Sequence, residues 1–163
     1  MDYRIEERGD EILEDVIDLD SEISWEVMDE KHRSSMDYNE YLRRHRELFL
    51  SIYNSPGRQR FIAAYDASGA LVGVAWIKEE VDTVNYESYA YLYDLEVKRG
   101  HRRSGVGRAL LERVIEYCRR NGYSRIGLRV ELRNAAALRL YVSSGFRPSA
   151  LLMELELGGR ASS

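Results

Sequence analysis

Two glycines, Gly105 and Gly107, stand between a run of arginines and a strongly patterned helix in the stretch RGHRRSGVGRALLERVIEYCRRNG, Arg99 to Gly122. Glycine weakens a helix, so its use at a helix entrance points to something that approaches the backbone closely. The first amides of a helix have no acceptor within it and carry the positive end of the macrodipole. They make a ready anion site. Arg102, Arg103 and Arg108 would add charge-assisted donors, and the eleven residues from Lys98 to Arg108 contain no acid. The chemistry this spacing predicts is the binding of a small polyphosphate. It is not a P-loop, because no Gly-Lys pair exists in the chain, and the dinucleotide fingerprint fails at its third glycine, where Leu110 stands.

Elsewhere the sequence restricts the chemistry. Cys118 is the only cysteine, so neither an intrachain disulfide nor a cysteine-based metal cluster can form. His32, His45 and His101 show no zinc-like spacing and read as surface or packing residues; no metal is expected. Residues 1–60 carry 16 acids against 9 Lys and Arg, whereas the remainder carries a small positive excess, with a sequence pI near 5.5. That balance suits a local polyphosphate patch and argues against a nucleic-acid footprint. No apolar run reaches membrane-span length and the N-terminus is acidic, so the expected location is the cytoplasm, with no membrane partner.

The elements that must position the loop follow from periodicity. Residues 3–7 read as a first strand, and Asp10 as the cap of a helix bearing Ile12, Leu13, Val16 and Ile17. A second helix is predicted from about Asn39 to Tyr53, with Tyr41, Leu42, Leu48, Phe49 and Ile52 on its inner side. Two strands joined at ASGA follow, then YAYLYDLEV (89–97), apolar or aromatic enough for a central strand. The glycine-bearing helix spans 105–121, followed by a strand at 124–132, a helix at 134–146 and a closing strand at 150–157. The whole reads as one domain over 1–157 with a frayed tail at 158–163. Its predicted class is α/β: a mixed, mostly antiparallel central sheet with helices on both faces and one parallel strand pair, with the ligand at the carboxyl ends of the parallel strands, near Val97 and Val130.

With the elements placed, LEVKRGHRRSGVGRALL resembles the acyl-CoA-binding segment of the GNAT (Gcn5-related N-acetyltransferase) superfamily, whose signature is Q/R-x-x-G-x-G/A. Arg102, Gly105 and Gly107 match it after a strand ending Leu95-Glu96-Val97. A second block is similar too: Asn134, Ala137, Leu138, Leu140, Tyr141, Gly145 and Phe146 match N-x-x-A-[IL]-x-L-Y-x-x-x-G-F. The family's usual proline and tyrosine ahead of the signature are here Arg99 and His101. The resemblance implies acetyl-CoA as co-substrate and a parallel strand pair that splays at its site. It assigns the backbone from Arg102 through Arg103, Ser104, Gly105, Val106 and Gly107 to Arg108 to the pyrophosphate. Leu95, Glu96 and Val97 would hold the pantetheine arm and thioester. Asn134 would touch that arm, although it is equally a ready helix N-cap. Tyr141 would lie near the sulfur as general acid, although it also suits core packing.

Acyl transfer to an amine needs a base, because an amine is protonated near neutral pH. Asp94 and Glu96 should share one strand face beside the expected thioester. Asp94 is the first choice, Glu96 the second and Glu131 an outside one; a β-bulge would bring Tyr91 and Tyr93 to the acceptor pocket instead. A backbone N–H near Val97 is the oxyanion donor. Glu22, Glu26, Asp29 and Glu30 can attract a cationic amine, either a small molecule or a protein amine. Many relatives are dimers, so a homodimer is one expectation. The competing readings are a non-catalytic acyl-CoA-binding or regulatory module and an unrelated nucleotide- or RNA-phosphate-binding domain.

Overall fold

The structure, a computed structural model, describes residues 2–158. Five strands form one sheet in the order β1-β2-β3-β4-β5: β1 Arg4–Arg8, β2 Gln59–Tyr65, β3 Leu71–Val81, β4 Ser88–Val97 and β5 Ile126–Leu128. The helices are α1 Leu13–Val27, α2 Glu30–Ser34, α3 Tyr38–Tyr53, α4 Val106–Arg120 and α5 Ala135–Ser143. All strand pairs are antiparallel except β4 with β5. The chain falls into two compact units that meet at Arg129 and Val130. Among the described residues, no helix is long and apolar enough to cross a membrane.

In the first unit, strand alternation sorts the sheet into two faces. Val74 and Trp76 of β3 join Phe61 and Ala63 of β2 in a core with Val16, Ile17, Leu19 and Ile23 of α1 and Phe49 and Tyr53 of α3. Gly73 looks the other way, towards α4. A Cβ there would meet the Glu96 carbonyl at 2.9 Å, and Leu110 and Val106 at 3.2 and 3.3 Å. That glycine lets α4 lie close on the sheet, with Val106, Leu110, Leu111, Val114, Tyr117 and Cys118 buried as its inner stripe. Helices therefore cover both faces. Lys78, fully buried on β3, donates to the Ser55 carbonyl at 2.6 Å and the Tyr53 carbonyl at 3.3 Å, satisfying carbonyls at the end of α3 that lack helical partners.

Several expectations shift. Asp10 caps no helix: residues 10–12 form a short 3₁₀ turn, and the Asp10 carboxylate accepts from the Tyr53 hydroxyl at 2.6 Å. Asp37 caps α3 instead, accepting from the amides of Asn39 and Glu40. Leu48, placed on the inner face by spacing, is exposed, and Tyr53 takes that side. The strand predicted at 124–132 shortens to Ile126–Leu128, so its pairing with β4 covers only Ala90–Leu92. The parallel pair therefore parts where β4 runs on towards Val97.

In the second unit, α5 starts at Asn134, whose side chain accepts from the Ala137 amide at 3.1 Å, and ends at Gly145 with φ 95°. The closing strand expected at 150–157 does not form, and Leu151, Met153, Leu155 and Leu157 are all exposed. Alternation signals a strand, but a strand needs a neighbouring backbone, and no second β-type run lies between Gly145 and Ala150 to pair with it. Of the tail expected at 158–163, residues 159–163 lie outside the described residues.

Candidate functional site

Across β3 and β4, Val74 faces Glu96 and Trp76 faces Asp94, so both carboxylates stand on the α1–α3 face of the sheet. The register then slips: Ile77 pairs with Leu92, leaving Tyr93 as the extra residue of a bulge. Trp76, Lys78 and Glu80 share that face, with Tyr91 directly across from Lys78. Tyr93 stacks on Trp76 at 5.0 Å and meets Tyr91 edge-on at 4.8 Å, and its hydroxyl donates to Glu80 at 2.7 Å. The bulge thus brings the tyrosines and the carboxylates to one face, where the sequence offered them as alternatives. Leu95 and Val97, pointing to the α4 side, are the odd-parity partners of Ala75 and Gly73.

A third acid that spacing did not single out meets them. Asp20 of α1 is buried, and its carboxylate oxygen lies with those of Asp94 and Glu96 inside a 4.8 Å cluster. Ser24 donates to Asp20 at 3.4 Å. His45 of α3 sets its Nε2 2.9 Å from Asp20 Oδ2, at an angle that falls short of a hydrogen bond. Burial, then the Asp20 charge, raises the Asp94 carboxyl to about 7, against a smaller downward pull from His45. Burial likewise pushes Glu96 far above the carboxylate range, reinforced by the Asp20 and Asp94 charges and a hydrogen bond to Asp20. One Glu96 oxygen, Oε2, is buried without a hydrogen-bond partner. Two carboxyl groups can share a hydrogen bond only with a proton between them, so Glu96 is the protonated member. A buried acid titrating near neutrality beside a neutral one is a proton acceptor matched to amine chemistry.

Asp20 and His45 were visible in the pattern after all. Asp20 falls four residues after Val16 and three after Ile17, on the core stripe of α1; His45 sits between Tyr41 and Phe49 at intervals of four. Of the two readings of His45, surface or packing, the structure gives packing: its side chain is only 14% exposed, its ring lies 5.6 Å from Tyr41 and 6.4 Å from Phe49, and it faces Asp20.

The glycine loop leaves β4 through a 3₁₀ turn at Arg99–His101 and enters α4 at Gly105. Gly105 has φ 90°, and an added Cβ there would meet nothing within 4 Å. Its backbone angle, then, rather than crowding within the protein, calls for glycine. Arg103 is also left-handed, at φ 58°. The first helical bond runs from the Ala109 amide to the Gly105 carbonyl at 3.0 Å, so the amides of Val106 and Gly107 precede it, and no side chain caps the helix. The Ser104 hydroxyl turns back to the His101 carbonyl, Val106 is buried, and Arg108 is exposed on the first turn. The Arg102 side chain turns back onto the protein: its Nε donates to the Val97 carbonyl at 2.9 Å and its Nη2 lies 3.9 Å from Glu26. Lys98 similarly approaches Glu22 at 3.5 Å, and Asp29 holds His32. Of the four α1–α2 acids expected to draw a cationic amine, Glu22 and Glu26 therefore already face cationic partners and Asp29 is engaged by His32.

In the second unit, Asn134 is exposed and engaged as the α5 cap. Tyr141 is half-buried and packs edge-on against Phe146 at 5.7 Å. Glu131 is exposed.

Residues 22–146 match the family described as acetyltransferase (GNAT). The chain belongs to that family. Among solved structures, an acetyl transferase of Pyrococcus furiosus is 37% identical, with a TM-score of 0.84 over 96% of this GNAT chain and all of that one. Mycothiol acetyltransferase of Beutenbergia cavernae is 38% identical over 86 residues, which is 53% of this chain and 27% of the relative. The ribosomal protein bS18 alanine N-acetyltransferase of Escherichia coli is 39% identical over 62 residues, 38% of this chain and 42% of the relative. The matches to these two curated relatives thus span less than half of their length. As a GNAT protein, the chain carries Asp94, Glu96 and its glycine-entered helix within the matched region, whereas Asp20 lies two residues before it.

Proposed function

We propose that this chain is an acetyl-CoA-dependent N-acetyltransferase that moves an acetyl group to a primary amine by direct attack within a ternary complex. The observation that carries the reading is the place of Asp94, a half-buried carboxyl clustered with Asp20 and Glu96 on the strand that leads into the glycine loop, where desolvation and the Asp20 charge raise it to about 7. In this reading the amides that open α4 hold the CoA pyrophosphate, and the stretch of β4 beyond Leu92, which β5 leaves unpaired, receives the pantetheine arm through Leu95–Val97. The Asp94 carboxylate takes a proton from the bound ammonium. The amine nitrogen attacks the thioester carbon, forming the C–N bond, and the oxyanion is met by a backbone N–H near Val97. Collapse breaks the C–S bond, the leaving thiolate takes the proton of the Tyr141 hydroxyl, and the tyrosinate is restored by the second proton shed from the acylated nitrogen, leaving a neutral amide. Cys118 is buried on α4, and burial pushes its thiol up to about 11, which supports direct transfer over a covalent cysteine intermediate. The acceptor class is a cationic small molecule or a protein amine; the names of the curated relatives include both a small-molecule and a protein-alanine acetyltransferase.

The test is acetyl-CoA-dependent thiol release against a panel of diamines, aminoglycosides and peptide N-termini. Tyr141→Phe is expected to lower kcat by roughly 10²-fold with little change in the KM for acetyl-CoA. Intact CoA binding with no thiol release across the panel would instead support a non-catalytic module.

Gly105 gives a separate check on the anion site. Valine cannot adopt φ 90° without strain of about 1–2 kcal/mol. Gly105→Val is therefore expected to weaken CoA binding by about tenfold in calorimetry, with a smaller loss for dephosphorylated pantetheine, which lacks the pyrophosphate.

A further inference from the structure

The acid cluster contains more charge than one proton acceptor needs. Asp94 is faced from α1 by Asp20, from α3 by His45 and Tyr41, and along β4 by Glu96 and Tyr93. On β3, Trp76 lies directly across from it, with Lys78 and Glu80 further along the same face, and Arg102 acts on Glu96 from the loop. The Tyr41 hydroxyl donates to the Ser21 carbonyl at 2.8 Å, and burial raises its pKa to about 12, so it stays neutral. Three ionised carboxylates within 4.8 Å of one another cannot be sustained in this buried setting. The Asp20–Glu96 hydrogen bond places one proton between two of them. The imidazole lies against the outer oxygen of Asp20, on the one acid of the three that comes from a helix.

We propose that Asp20 and His45 are positioning residues that set the charge state of Asp94: His45 keeps Asp20 ionised, ionised Asp20 keeps the proton on Glu96, and Asp94 is left as the one carboxyl that exchanges a proton during turnover. The proposal rests on the reading of Asp94 as the base. Neither Asp20 nor His45 is asked to touch the amine or the thioester. Each acts through Asp94.

The test is a carboxyl carbon-13 titration of the full chain, labelled at aspartate and glutamate and assigned with Asp94→Asn, run beside the pH profile of kcat/KM for acetyl transfer. Asp20→Asn removes the negative charge nearest Asp94 and is expected to move the Asp94 midpoint, and with it the acid limb of the profile, down by about one pH unit. His45→Gln removes the opposing charge and is expected to move both up. Glu96→Gln replaces a neutral acid with a neutral amide and is expected to leave the Asp94 midpoint in place. In the unmutated protein the order of ionisation should be Asp20 first, Asp94 next and Glu96 last, a reading that needs no variant to fold. An Asp20 midpoint above that of Asp94, or an Asp94 midpoint that neither Asp20→Asn nor His45→Gln moves, overturns the proposal. The two readings fail separately: full activity in Asp94→Asn removes the base assignment while leaving the titration order to stand. Inactive Asp94→Asn with an unmoved midpoint in the other variants removes only the role of Asp20 and His45.

Discussion

Asp94→Asn is expected to lower kcat/KM for acetyl transfer by about 10²–10⁴-fold, the range a positioned general base contributes. The amide keeps the size of the side chain and its place across from Trp76, so the loss should fall on kcat with the KM for acetyl-CoA little changed. The remaining activity should rise with pH as the free amine becomes available in solution, where the unmutated enzyme should already reach its plateau above about pH 7. Stability should change in the opposite sense. Burial raises the Asp94 carboxyl in the folded protein above its unfolded value, so the native state holds more protons than the unfolded one between the two. The stability this acid allows is fully present below about pH 4, its unfolded range, and is lost as pH rises through its folded value. Asparagine has no proton to lose. The variant should therefore melt higher than the unmutated protein at pH 8, with the gap closing at pH 4, as thermal scans at the two pH values would show. A variant that is less active and more stable at pH 8 separates a catalytic carboxyl from a structural one.

Trp76→Ala is expected to cost about 3–5 kcal/mol, a large share of the 5–15 kcal/mol that holds a typical domain together. The indole is almost wholly buried, stacked on Phe49 at 4.6 Å and on Tyr93 at 5.0 Å, and its Nε1 donates to Gln59 at 3.1 Å. Alanine leaves a cavity between α3 and the sheet and an unpaired Gln59 oxygen, and removes the ring against which the bulged Tyr93 rests. For a chain of this length the melting temperature should fall by about 10 °C. Trp76→Phe keeps most of the volume and loses the hydrogen bond, so its loss should be markedly smaller. Equal losses in the two variants, read from urea midpoints, would mean that the hydrogen bond rather than the packing dominates.

The contrast between these residues shows which parts of the molecule could be read in advance. Apart from the five-residue α2, which is too short to show a period and was not predicted, the order of strands and helices up to α4 was legible because each element carries its own period: alternation in β2 and β3, intervals of three and four in α1, α3 and α4. The glycine loop was legible because a left-handed backbone at Gly105 restricts residue type locally. Asp94 and Glu96 were assigned to one face by parity alone. The closing strand at 150–157 was misread because a strand is completed by a partner elsewhere, and alternation within one segment carries no information about that partner. The partners of Arg102 were not legible for a related reason: composition shows that a cation is present, but not that Val97 and Glu26 engage it.

By itself, then, the sequence determined the family, the mixed sheet and the glycine-opened entrance to α4, since these depend on residue types at fixed local spacing. Only the tertiary structure decided the protonation chemistry. The bulge at Tyr93, which gathers the tyrosines and acids on one face, depends on how β4 registers against β3. The raised carboxyl of Asp94 depends first on its burial beneath the helices and then on the charge of an aspartate 74 positions earlier in the chain, with a histidine from a second helix pulling the other way. Charge–charge coupling falls with distance through space, and separation along the chain does not report that distance.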